Sequence, residues 1–155
     1  MKISIGLRAN PNQVCFSVVR EQEEMNEIFL VDKIIVPKSL DIPEQLKFIR
    51  STLRDIINEN NVSLACIRIA ESNVKHVNIP RIYLEGVIQE LIASSTVTKY
   101  YVGQISNISA KLGIERAEFK PFAEGRNDFM DMNIWSEISL EERESIMAAI
   151  SALNL

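Results

Sequence analysis

The first third of the chain alternates between apolar and polar positions. In residues 2–8, Ile3, Ile5 and Leu7 fall on one side, and in 13–20 Val14, Phe16 and Val18 do the same. Residues 27–37 form a third extended run, Glu-Ile-Phe-Leu-Val-Asp-Lys-Ile-Ile-Val-Pro. Asn10-Pro11-Asn12 carries strong turn chemistry, and Glu21 to Asn26 is a second polar break. Connections this short predict an antiparallel meander of three strands.

The period then changes. Leu46, Ile49, Leu53 and Ile56 recur at helical spacing behind Asp41, with Glu44 three residues later and Pro43 in the first turn, so the spacing predicts a helix over 42–59. Leu64 to Ile69 reads as a short buried strand. Asn78 is placed to cap a helix over 79–94 with Leu84, Val87, Ile88 and Leu91 inward. Residues 97–102 predict a fifth strand and Gln104 to Leu112 a short helix. Periodicity is lost over about 115–138, which reads as an irregular excursion. Ser139 then opens a final helix with Glu142 at the third position and Ile146, Ala149, Ile150 and Leu153 behind it.

Three antiparallel strands followed by strand–helix units predict an α/β fold with a mixed five-stranded sheet and helices packed on it. No repeat or Gly/Ser linker divides the chain, so 1–155 is expected to be one domain.

Charge narrows the function classes. With 17 Lys and Arg against 21 Asp and Glu the net charge is -4, which disfavours a general nucleic-acid coat protein. A local basic patch remains compatible with it. Cys15 and Cys66 lie in apolar runs with no Cys or His at ligand spacing, so they read as buried free thiols. No apolar stretch has the length of a membrane span, and a reducing cytoplasm is the expected setting. P-loop, GxGxxG, GxSxG and HExxH motifs are all lacking. Glu21-Gln22-Glu23-Glu24 reads as a solvated turn. Between Phe119 and Trp135, aromatic and Met side chains interleave with Arg126, Asp128 and Asp131. This segment reads either as cover for a sheet face or as a binding element with interface-type anchors.

The order of elements resembles the RNase H-like fold, and the residues look most like the RuvC-type Holliday junction resolvases and small bacterial relatives of them. The opening Ile3-Ser4-Ile5-Gly6-Leu7-Arg8-Ala9-Asn10 is similar to that family's first strand. The run Asp41 to Ile49 followed by Asn61 to Arg68 looks like its first helix and central strand. The resemblance covers roughly 3–114 and 139–153. It implies four carboxylates holding two divalent ions (Mg²⁺ or Mn²⁺), which activate water and stabilise the leaving oxygen of a phosphodiester. Hard cations need oxygen ligands, so bases do not replace those acids.

Carried over position by position, the first two acids fall on Arg8 and Arg68, while Glu141 and Glu144 keep the spacing of the last pair. Glu71, three residues past Arg68, would supply a ligand only through an insertion. The resemblance therefore implies a degenerate site without a metal cofactor and no nuclease catalysis. Two readings of it stay open. In one, Arg8 and Arg68 pair with Glu144, Glu141 or Glu71, and the protein acts through a protein partner or as a regulatory subunit. In the other, Arg8 and Arg68 with Lys75 bind nucleic acid or another anion, and Asn10, Asn73 and His76 line the crevice. His76 on its own reads as a surface loop residue. A divergent metal-dependent nuclease is the third alternative. Resolvases of this type work as dimers, so the resemblance also implies a homodimer.

Overall fold

Asn10 reverses the chain after the first strand, its Oδ1 accepting the N–H groups of Asn12 at 2.8 Å and Gln13 at 3.0 Å. The computed structural model describes residues 1–155. The strands are β1 (Ile3–Asn10), β2 (Gln13–Arg20), β3 (Glu27–Ile35), β4 (Leu64–Arg68) and β5 (Lys99–Gly103), in the order β3-β2-β1-β4-β5. β1 pairs antiparallel with β2 and parallel with β4. The mixed sheet read from the sequence is thus the sheet observed.

Two helices, α1 (Ile42–Glu59) and α2 (Ile79–Ser94), cover one face. Asp41 Oδ1 caps α1 by accepting the Glu44 N–H at 3.1 Å, and Asn78 caps α2 through the Arg81 N–H at 3.1 Å. Their buried residues, among them Ile49, Leu53, Leu84 and Ile88, form one core with Ile5, Leu7, Phe16 and Ile67. Strand alternation sends Ser4, Gly6, Arg8, Cys66 and Arg68 to the other face.

That second face is covered by α5 (Leu140–Ala152), which is buried continuously from Glu144 to Ala152. Its capping box matches the expected one: Ser139 Oγ accepts the Glu142 N–H, and Glu142 Oε1 accepts the Ser139 N–H. The helix lies so close to β1 that a Cβ added to Gly6 would stand 2.0 Å from Ser145 O and 2.4 Å from Ala149 N. The Ser4 hydroxyl donates to Ala149 O at 2.6 Å, and the Ser17 and Ser145 hydroxyls meet at 2.5 Å.

The stretch 115–138 corrects one expectation. After α3 (Ile105–Leu112) it contains a further helix, α4 (Arg116–Ala123), and two 3₁₀ turns, Phe129–Asp131 and Trp135–Glu137. Pro121 near the end of a helix of only 8 residues interrupts the pattern that would have revealed it. Phe119, Phe129 and Trp135 are buried in the second core, and Trp135 Nε1 donates to Phe122 O at 2.8 Å. The aromatic residues of this segment are core cover, and Met130 is exposed. Arg143 ties the segment down, donating to Trp135 O at 2.7 Å and Ala123 O at 3.2 Å.

Both cysteines are free and buried, as expected. Burial pushes the Cys15 thiol up to about 12, with Glu142 and Glu141 adding to the shift. Burial likewise pushes Cys66 up to about 11. Because both folded values are raised, the native state keeps these protons to higher pH than the unfolded chain does. The stability they contribute is complete below the ordinary value near 9 and is lost as pH climbs toward 11–12. A disulfide-exchange reagent at pH 8 is expected to label neither thiol in the folded protein and both in urea. Rapid labelling of the folded protein would contradict the burial.

Candidate functional site

Parallel pairing of β1 with β4 puts Arg8 and Arg68 in register at the carboxyl ends of the two central strands. Both leave the sheet on the α5 side, where the first buried turn of α5 delivers Glu144. The Glu144 carboxylate is shared: Oε2 accepts from Arg8 Nε, and Oε1 lies 3.6 Å from Arg68 Nη2. Arg68 and Glu144 are each 4% exposed and Arg8 is half-buried beside them, so the cluster lies largely in the interior. The guanidinium groups also donate to backbone carbonyls, Arg8 Nη1 to Ala9 O at 2.9 Å and Arg68 Nη1 to Ile69 O. The Arg68 guanidinium stands 5.8 Å from the centroid of the Phe119 ring.

The other sequence-predicted residues separate around this cluster. Glu141 lies at the less buried start of α5, 3.5 Å from Asn10 Nδ2. Glu71 Oε1 accepts the Ile105 N–H at the start of α3 at 3.2 Å. Asn73, Lys75 and His76 are exposed in the loop between β4 and α2. His76 borders a cavity of about 360 Å³ beside the start of α2. A second cavity, of about 270 Å³, opens onto the ion cluster, and its basic lining is Arg8, Arg68, Arg81 and Lys120 without Lys75.

Arg81, Glu85 and Lys120 were not singled out from the sequence. Glu85 is 6% exposed, pairs with Arg81 Nε at 2.8 Å and accepts the Ala70 N–H at 3.0 Å. A carboxylate between Leu84 and Ile88, on the inward face of α2, is the signal that marks this pair. Burial lowers the Arg68 guanidinium from its ordinary value, with Glu144 opposing the shift. Burial lowers Arg81 too, and the Arg8 charge adds to it.

Divalent ions, which the sequence resemblance places at this spot, do not fit the donors present. Of the carboxylates lining the cavity, Glu144 is shared by two guanidinium groups, Glu71 accepts the Ile105 N–H and Glu124 pairs with Arg126, and the arginines would repel a cation. No group of three or more His, Cys, Asp or Glu side chains is placed to hold a metal ion.

Comparison with solved structures defines the class of fold. Thermus thermophilus RuvC matches with a TM-score of 0.73 at 8% identity, over 98% of this chain and 93% of that one. The same protein in complex with a Holliday junction substrate gives 0.70 at 8% identity and the same coverage. The Fowlpox virus resolvase in complex with Holliday junction DNA gives 0.52 at 11% identity, over 96% and 95% of the two chains. The chain therefore has the RNase H-like fold of the RuvC type. No protein-family model and no curated protein sequence matches it. No helix is long and apolar enough to cross a membrane.

Proposed function

We propose that this chain is a non-cleaving RuvC-like module that acts by binding, as a protein-interaction or regulatory subunit. The observation that carries the reading is the buried Arg8–Glu144–Arg68 cluster at the strand ends. Two guanidinium groups hold the Glu144 carboxylate, so it is not free to take up the metal ions of a phosphodiester cleavage. With the reading go one domain over 1–155, a cytoplasmic setting and a homodimer, which gel filtration with light scattering measures.

A second reading, binding of nucleic acid or another anion at Arg8 and Arg68, is favoured by the basic lining of the cavity. Two of the similar structures hold Holliday junction DNA, which also favours it. One experiment addresses both readings. Labelled junction, duplex and RNA–DNA hybrid are incubated with the protein and Mg²⁺ or Mn²⁺, and cleavage and retention are scored across a salt series. The expected result is no cleavage above the metal-free control. Cleavage that disappears in Glu144→Gln overturns the main reading. Retention that falls with salt and is lost in Arg8→Ala/Arg68→Ala selects the second reading over the first.

A further inference from the structure

The interior of the site holds more donors than acceptors. Arg68 is 4% exposed, yet its Nε has no hydrogen-bond partner, and Arg81 Nη2 is buried without one as well. A buried unpaired donor costs about 1–3 kcal/mol, more when it is charged, so such groups ordinarily have partners. Both residues line the same cavity of about 270 Å³, together with Arg8 and Lys120.

The carboxylates near them are largely committed elsewhere. Glu144 serves two arginines, and Glu85 serves Arg81. Glu71 takes the N–H of Ile105, and Glu124 pairs with Arg126 at 3.1 Å. The lining carries four basic groups, Arg8, Arg68, Arg81 and Lys120, against three carboxylates, Glu71, Glu124 and Glu144, so one positive charge is left over around a half-open volume. The lowered guanidinium values of Arg68 and Arg81 point the same way, since an anion would offset the burial that causes them.

We infer that this cavity is a binding site for a small phosphate-type oxyanion, either free phosphate or the terminal phosphoryl group of a small molecule. The proposal rests on the reading that no metal centre operates here. Donors reach the cavity from three elements, Arg68 on β4, Arg81 on α2 and Lys120 on α4. That arrangement suits a tetrahedral group with oxygens in several directions better than a planar carboxylate. The volume admits a phosphate with a few waters, at about 30 Å³ per water. An internal phosphodiester on a duplex surface does not reach a guanidinium buried as deeply as that of Arg68.

The test is calorimetric titration and thermal unfolding at fixed ionic strength, with inorganic phosphate or a nucleoside monophosphate replacing chloride. Saturable binding and a matching rise in Tm are expected for wild type. Lys120 is exposed and lies outside the buried ion pairs, so Lys120→Met leaves the anion-free Tm in place and weakens binding about tenfold or more. Arg81→Gln is expected to weaken it further. A response to phosphate alone assigns the site to the free ion, and a response to both ligands or to the monophosphate alone assigns it to a phosphoryl group. Absence of saturable binding with either ligand overturns the proposal, as does equal affinity in Lys120→Met. These outcomes are read without divalent metal, so they are told apart from a failure of the non-cleaving reading, which appears only as cleaved substrate.

Discussion

Glu144→Gln is expected to lower the free energy of unfolding by about 3–5 kcal/mol, because it leaves two interior guanidinium groups without their shared counter-charge. Chemical denaturation measures the loss, with Glu141→Gln as the control. Glu141 lies at the less buried start of α5, beside an asparagine rather than an arginine, so its amide variant is expected to stay within about 0.5 kcal/mol of wild type. Replacing all three members together, as Arg8→Met/Glu144→Leu/Arg68→Met, is expected to recover most of the stability, since apolar groups of similar volume remove the charges along with the need to pair them. A Glu144→Gln protein as stable as wild type would mean that water, rather than Glu144, solvates the two arginines.

Gly6→Ala is the second large effect, at about 3 kcal/mol or more, near the upper end of overpacking costs. The added methyl meets backbone atoms of α5 at 2.0 and 2.4 Å, and a helix backbone cannot rotate aside as a side chain can. Accommodating it means lifting α5 from β1, which also draws Glu144 away from Arg8. The control is Gly86→Ala. A Cβ there meets nothing within 4 Å, and the position lies inside α2. That variant is expected to gain about 0.5–1 kcal/mol from helix propensity. Equal destabilisation by the two variants would refute the close-approach argument.

Much of this architecture was legible in the sequence because local chemistry and global fold agree. The alternating runs became β1 to β3, the Asx turn formed at Asn10, and Asp41, Asn78 and Ser139 cap the helices they precede. Strand order then brings Arg8 beside Arg68, a placement implied by the resemblance to the RuvC-type fold rather than by any local pattern. The choice of partner was open because it depends on depth along α5. Glu141 stands in the first, less buried turn, and three residues later Glu144 enters the interior. Arg81, Glu85 and Lys120 stayed hidden for a different reason. They arrive from α2 and α4: the inward Glu85 marks a buried pair on α2, but only tertiary packing shows that α2 and α4 meet the strand ends. Lys75 is near Arg68 in sequence, but the loop after β4 holds it in solvent.

The Arg8–Glu144 pair joins positions 136 residues apart, and the Ser4–Ala149 and Ser17–Ser145 hydrogen bonds span 145 and 128. Contacts that distant in the chain are slow to find, because the entropy of closing the intervening loop is lost before they form. Seating of α5 is then expected among the late steps of folding. Until it seats, Arg8 and Arg68 stay hydrated and the Gly6 face of the sheet stays open. A folding intermediate carrying α1 and α2 on one face would therefore expose a bare, partly apolar sheet on the other. That surface is where a chaperone would bind, and where a slowed mutant would aggregate.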